Sequence, residues 1–293
     1  LICLNSLLLL YTMKKILIPT DFSENASDAF FYAAKVFGGE KVEFIVVYSF
    51  ENEASNLTSR VDIGKSEYVL DKLYDDSILE GNSFIDKMKQ KLGKTQSTFR
   101  FISTGMGIFR AVNKLIKEEE IALTVMGTKG RTADENILVG STTSKMITKI
   151  KGCSLLIVPN ISKFEVPLKV GFATDFSTYY PLQQVPPINE LIFNFNSTLE
   201  ILYVGEESTL SEEQLKTRST FKNSLDNLNV HFHHLKTLNS ISESLAKYAL
   251  ENRLDLLILV NRKHNVLNKL FREAVIKRVG NKMEIPYLLL PIN

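Results

Sequence analysis

Three glycines, Gly127, Gly130 and Gly140, fall at Gly-x2-Gly-x9-Gly directly after the apolar run Ile121 to Met126, and Ser141 and Thr142 follow the last of them. Glycine lets a backbone take positive φ and lets a ligand approach with no Cβ in the way. A turn of exposed N–H groups that ends at a helix N-terminus attracts anions. The stretch therefore has the chemistry of a phosphate cradle, and Lys129 and Arg131 inside it are cations that would neutralise phosphate charge. Each part also has a plainer use. Asp21 with Glu24 fits a helix capping box, Ser141 and Thr142 fit caps of their own helix, and Gly127 fits an ordinary strand-end turn.

Such a loop needs a scaffold, and the flanking residues alternate strand with helix. Lys15 to Pro19 is a short apolar run; Ala26, Ala29, Phe30, Ala33, Ala34 and Phe37 then recur at helical spacing until Gly38-Gly39. Val42 to Tyr48 reads as a strand, Glu51 to Lys65 as a polar stretch, and Leu70 to Leu92 as the apolar side of a long helix. Phe99 to Ile102 is a third strand, Gly105 precedes a helix marked by Ile108, Val112 and Leu115, and Ile121 to Met126 is a fourth strand. A helix over Thr142 to Ile150 and a strand over Leu155 to Val158 complete the set. Strands that read as unbroken apolar runs between helices predict a parallel sheet covered on both faces.

Length and composition limit what the loop can belong to. A chain of 293 residues has room for two domains at about 150 residues each, and 44% hydrophobic with 23% charged residues is the composition of a packed protein. A net charge of +2 supplies no broad electrostatic reason to bind nucleic acid or a membrane surface. Cys3 and Cys153 are too few for a disulfide framework, so a reducing, cytoplasmic setting is expected. Residues 1–12 carry the run Leu7 to Leu10 without a basic n-region or a small-residue cleavage site. They are expected to be a non-native or disordered leader, with Met13 as the start.

The second part of the chain repeats the first. Leu168 to Ser177 echoes Ile16 to Ser23, with Thr-Asp-Phe-Ser identical at 20–23 and 174–177. Leu199 to Val204 echoes Val42 to Tyr48, Leu254 to Val260 echoes Ile121 to Met126, and Pro286 to Pro291 echoes Ser154 to Pro159. Two tandem domains, 13–161 and 166–293, are expected, joined near Asn160 to Glu165.

The first strand ending Ile18-Pro19-Thr20-Asp21, Gly105 before a helix, the strand ending Val125-Met126-Gly127, and the full Gly127, Gly130, Gly140-Ser141 spacing resemble the universal stress protein family in its tandem form. The resemblance covers nearly everything after Met13. It implies two tandem Rossmann-like α/β domains, each a five-stranded parallel sheet of order 3-2-1-4-5 flanked by helices, with ATP held where strands 1 and 4 diverge, with or without Mg2+. It places Asp21 and Val47 near adenine and ribose, and Gly127, Gly130, Gly140, Ser141 and Thr142 around ribose and phosphates. With Pro19, Thr20, Met126, Lys129 and Arg131 these make up the candidate cofactor-binding set; no catalytic residue and no metal ligand is expected. A general rule agrees with that placement. Ligands of open α/β sheets bind beyond the carboxyl ends of strands where strand order reverses, and Asp21 and Gly127 end the first and fourth strands.

The second domain departs from the pattern where phosphate would sit. After Val260, residues Asn261 to Glu273 contain no glycine, and Glu273-Ala274 stands in place of Ser-Thr, bringing negative charge where donors are needed. This domain is expected not to bind ATP. Its expected role is structural, and the resemblance implies that it pairs with the first through their last-strand edges as a built-in dimer, with further homodimerisation left open. Other motifs lead nowhere. Gly64-Lys65-Ser66 lacks the first glycine and the preceding strand of a Walker loop, and Gly127-x-x-Gly130 follows a strand rather than joining two helices as in RNA-binding KH modules. His231, His233 and His234 cluster, but further zinc ligands at fixed spacing are not found, so a solvated strand is expected. Lys117 to Glu120 reads as a solvated helix end.

Three functions stay open on these residues. The leading one is a stress-response regulatory protein that binds ATP in its first domain and is not an enzyme. The others are a slow ATPase and an interaction scaffold that binds no nucleotide.

Overall fold

The computed structural model describes residues 13–58, 63–129, 139–160, 164–260 and 285–291. Five strands come from the first half: β1 (Lys14–Thr20), β2 (Val42–Ser49), β3 (Thr98–Thr104), β4 (Leu123–Gly127) and β5 (Ser154–Val158). Five come from the second: β6 (Lys169–Ala173), β7 (Thr198–Val204), β8 (Val230–Leu235), β9 (Leu256–Val260) and β10 (Tyr287–Leu290). The helices are α1 (Glu24–Phe37), α2 (Glu51–Thr58), α3 (Ile63–Leu92), α4 (Ile108–Glu119), α5 (Ser141–Lys149), α6 (Pro186–Phe195), α7 (Glu212–Ser224) and α8 (Ile241–Glu251).

Among the described residues, ten strands join one sheet of order β3-β2-β1-β4-β5-β10-β9-β6-β7-β8. Each half keeps the order 3-2-1-4-5 and is parallel within itself, while β5 and β10 run antiparallel, with Leu288 opposite Leu156. The expectation of one five-stranded sheet per half is thus refined: the two share an edge and become continuous. The physical reason is that β5 and β10 are unbroken apolar strands, buried at every position, and an exposed edge of that kind would be left with unpaired N–H and C=O groups. The polar stretch after β2 also differs from expectation, since Glu51–Thr58 is helical, with Glu51 and Glu53 in its acidic first turn.

Strand alternation sorts the core into two layers. On one face, Leu156, Val158, Leu288 and Leu290 pack with Phe30 of α1, Met88 of α3, Leu191 of α6 and Phe221 of α7. On the other, Leu155, Ile157, Tyr287 and Leu289 pack with Val112 of α4, Met146 of α5 and Leu245 of α8. Both layers run across the seam. A cross-half ion pair adds to it, Lys14 Nζ reaching the Glu190 carboxylate at 2.5 Å. Burial pulls the Lys14 ammonium below its ordinary pKa and pushes the Glu190 carboxyl above its own, each opposed by the partner's charge.

The repeated Thr-Asp-Phe-Ser is a turn. Thr20 Oγ1 accepts from Phe22 N at 2.9 Å and Asp21 Oδ1 from Ser23 N at 3.1 Å; the same bonds recur at Thr174–Phe176 and Asp175–Ser177, at 3.0 and 2.9 Å. These side-chain bonds hold the intervening phenylalanines left-handed, with φ of 60° at Phe22 and 55° at Phe176, an uncommon conformation for a bulky residue. Each ring in turn packs on a tyrosine of the next strand, Phe22 on Tyr48 at 4.6 Å and Phe176 on Tyr203 at 5.6 Å.

Candidate functional site

The turn at the end of β1 and the loop after β4 face each other across a cavity of about 350 Å³ at the carboxyl ends of these strands. β1 and β4 are neighbours, and β2 leaves β1 on the other side, so the order of the strands reverses here. The volume is in the range of small-molecule sites.

Of the candidate set, Pro19, Thr20, Asp21, Met126, Gly127, Lys129, Ser141 and Thr142 line the cavity. Gly140 is not among the lining residues; its N–H donates to the Thr128 carbonyl at 2.7 Å and it precedes α5 as the N-cap. Val47 does not reach the cavity. Its side chain is fully buried in the core layer under α4, and the neighbouring positions Tyr48 and Ser49 form the wall instead. The strand's exit from the sheet, two residues later than Val47, is what brings side chains to the opening. Gly130 and Arg131 lie outside the described residues.

The plainer readings of the candidates meet different ends. The cap of α1 is Ser23, which accepts from Ala26 N at 3.2 Å, so the Asp21–Glu24 capping box does not form and Asp21 serves the turn instead. The cap of α5 is Gly140, without a side-chain hydrogen bond, so neither Ser141 nor Thr142 caps the helix. Both are exposed, at the first two positions of α5, on the cavity wall. Gly127 is more than a strand-end turn. A Cβ there would stand 2.5 Å from Asn25 Oδ1, closer than real Cβ contacts come.

Asn25, missing from the sequence reading, explains why. It is buried, its carbonyl oxygen accepts from Lys129 N at 2.9 Å and from Thr128 Oγ1 at 3.3 Å, and its amide reaches the Val158 carbonyl at 3.4 Å. The first turn of α1 is thereby tied to the ends of β4 and β5. Thr143 adds a second tie from α5, donating to the Gly127 carbonyl at 2.8 Å. Four side-chain bonds from Asn25, Thr128 and Thr143 thus tie the start of the loop to α1, α5 and the end of β5. No spacing rule would have found Asn25. Thr143 had a signal, the run Ser141-Thr142-Thr143, whose third member turns inward.

The rest of the wall comes from α2 and α4. Glu51 and Asn52 begin α2, and Ile108 and Phe109 begin α4. Gly107, the N-cap of α4, packs so closely on the Glu51 carboxylate that a Cβ would lie 2.5 Å from Glu51 Oε2; Gly105, two residues earlier, packs on Phe50. Lys129 and Lys145 supply cationic groups, Asp21 and Glu51 anionic ones. The wall thus includes a helix N-terminus with hydroxyls and lysines, suited to an anion. It also includes apolar and aromatic groups, Pro19, Tyr48, Ile108 and Phe109.

A doubly wound sheet with such a crevice at its switch point is an α/β fold of Rossmann-like architecture. The family model of the universal stress proteins matches residues 12–159, and the chain belongs to that family. The match ends with β5. Over the whole length, a universal stress protein from Archaeoglobus fulgidus has a similar structure, at 16% identity and a TM-score of 0.64, covering 96% of this chain and 97% of its own. A functionally unknown protein from Pseudomonas aeruginosa is similar at 11% identity and a TM-score of 0.54, covering 95% of this chain and 92% of its own. A universal stress protein solved in complex with cAMP overlaps 50% of this chain and 96% of its own, at 17% identity and a TM-score of 0.34. No curated protein sequence matches the chain. Among the described residues, no helix is long and apolar enough to cross a membrane.

Proposed function

We propose that this chain binds an adenine nucleotide, ATP in the first instance, in the cavity of its first half, and works as a regulatory protein of the stress response. The observation that carries the reading is the wall at the start of α5, where Ser141 and Thr142 stand at a helix N-terminus whose N-cap is Gly140 and which no side chain caps among the described residues, beside Lys129 and Lys145. Those groups would hold phosphates. The Asp21 carboxylate is an acceptor for ribose hydroxyls, and the apolar wall at Ile108 and Phe109 suits a base. Mg2+ accompanying the nucleotide would find carboxylates in Asp21 and Glu51, both on the cavity wall.

On this reading the nucleotide is a ligand whose unequal affinity for two conformations shifts partner or dimer preference, and it is not turned over. The second half serves as the structural partner that covers the β5 edge, and its glycine-free counterpart loop does not hold phosphate. A cytoplasmic location follows from the reading, since that is where ATP is met.

Calorimetric titration with ATP tests it. Saturable binding is expected in the intact chain, and Thr142→Val combined with Lys129→Ala should weaken it at least about tenfold, the loss of about 1.4 kcal/mol of hydrogen-bond and charge contacts. Absence of saturable binding would sink the reading, and rapid steady-state release of phosphate by purified protein would replace it with an ATPase.

A further inference from the structure

Superposing the two halves by strand register singles out Glu200. The pairing runs Leu17–Ile45–Arg100 across the first half and Gly171–Glu200–His231 across the second, and one step along it runs Val47–Ile102 and Leu202–His233. The chain turns left-handed at Glu120, the C-cap of α4, and at Arg253, one residue past the C-cap of α8; each lies three residues before the next strand, β4 and β9, which aligns Leu115 with Tyr248. So Ile45, Arg100, Ile102 and Leu115 of one half have become Glu200, His231, His233 and Tyr248 in the other. Ile45 is fully buried and Glu200 is 2% exposed. A carboxylate has taken an isoleucine's place inside the sheet, a substitution that burial alone makes costly.

We propose that Glu200, His231 and His233 form a three-ligand site for a divalent transition metal, zinc in first place. The side chains share the α8 face of the sheet, and one ligand atom from each lies within 4.8 Å of the others. Two imidazoles and a carboxylate with an open fourth position are a donor set for Zn2+. Ligand atoms at zinc bond lengths sit about 3.4 Å apart in a tetrahedron. His231 Nδ1 and Glu200 Oε1 already do, at 3.5 Å. His233 Nε2 is closer, hydrogen-bonded to Oε2, and a proton occupies the space between them; a small side-chain rotation and loss of that proton admit the metal.

The surroundings suit an ion. β8 is the outer strand, and the side chains of His231 and His233 are 56% and 35% exposed, which leaves an entry path and room for water as the fourth ligand. Tyr248 donates to Glu200 Oε2 at 3.4 Å as an outer partner that fixes the carboxylate. Lys169 Nζ, 3.7 Å from Oε1, is the unfavourable neighbour, and its flexible stem must swing to solvent when a dication arrives. The sequence hid the third ligand because Glu200 comes from the adjacent strand, opposite His231. The site is independent of the nucleotide cavity, which belongs to the first half.

Chelator-stripped full-length protein titrated with Zn2+ against a chromophoric competitor tests the assignment. The wild type should take up one equivalent at this site. The variant H231R/H233I, which carries the sister half's residues and so fits this fold, should lose it or bind at least 100-fold more weakly; E200Q should weaken binding at least tenfold with unchanged circular dichroism. H234A and H264A should bind as wild type does, and Co2+ should give visible d–d bands in the wild type that vanish in H231R/H233I. Equal zinc uptake by wild type and H231R/H233I, or undiminished affinity in E200Q, overturns the proposal.

Discussion

The two halves share a fold to the level of a four-residue turn and then part at the loops. Thr20 to Ser23 and Thr174 to Ser177 make the same side-chain bonds and the same left-handed phenylalanine. Immediately afterwards Ser23 caps α1, while the Ser177 hydroxyl turns back to Asp175 at 2.6 Å and the chain runs irregularly to the prolines that open α6. The first half thereby gains a helix whose first turn supplies Asn25 to the start of the loop after β4. At the position after Asp21 that Asn25 occupies, the second half has Tyr179 after Asp175, and its ring packs on Phe221 at 4.9 Å. One half has spent its buried polarity on the carboxyl ends of β1 and β4, the other on the α8 face of β7 and β8. Duplication kept the sheet and left the chemistry free to move.

The seam is the strongest place to break this comparison, because it decides whether the halves are one cooperative unit. Lys14→Met removes the cation from a largely buried carboxylate, and a loss of about 3 kcal/mol is expected in urea unfolding. Lys14→Met/Glu190→Leu, which leaves no unpaired charge, should return to within about 1 kcal/mol of wild type. A single transition by fluorescence and circular dichroism is expected in each, since both core layers cross the seam. Separate transitions for the two halves would show that the continuous sheet does not couple them.

A smaller effect is expected within the first half. Gly127→Val drives side-chain atoms into Asn25 and should cost about 2 kcal/mol as well as abolishing ATP binding. Asn25→Ala, which leaves the Lys129 N–H without its acceptor, should cost about 1–2 kcal/mol. The decisive readout is the ratio. If the buried amide positions the loop, Asn25→Ala lowers ATP affinity in calorimetry more than tenfold although its side chain does not line the cavity; an unchanged affinity would reduce Asn25 to a core contact.

Much of this was legible in the sequence, for reasons the structure makes concrete. Unbroken apolar runs such as Leu155 to Val158 announced strands buried on both faces, and the repeated Thr-Asp-Phe-Ser announced two copies. Gly127 and the Ser141-Thr142 pair fall on the cavity wall, while the meeting of the halves at their last strands came from the family resemblance. What stayed hidden depends on pairing across space. Asn25 bonds to residues 103 and more positions away, and Glu200 meets His231 only because β7 and β8 lie in a register that local pattern does not encode. Val47 was misplaced for a related reason, since which residue of a strand first emerges from the sheet depends on where its neighbours end. Helix α2 stood only as part of a polar stretch because Glu51 to Thr58 has no apolar stripe.

The smallest expected effect concerns Glu200 and sharpens the comparison most finely. Burial alone would raise its pKa, but the hydrogen bond from His233 and the charges of His233 and Lys169 hold the carboxyl below its ordinary value. A carboxyl whose pKa is lower in the folded chain adds stability above the unfolded value near 4.5, and that contribution is lost as pH falls through the folded value. Restoring the sister-half residues with Glu200→Ile, His233→Ile and Tyr248→Leu removes this linkage, so the variant's stability should fall less steeply than wild type below about pH 4.5. At neutral pH the same variant should gain about 1 kcal/mol, since apolar replacements of a buried polar cluster are commonly neutral or stabilising. Measured by urea unfolding in chelator-stripped and zinc-loaded protein, a gain without zinc that reverses with zinc would show that the second half keeps a costly carboxylate for what it binds; a loss in both would make the cluster an ordinary part of the core.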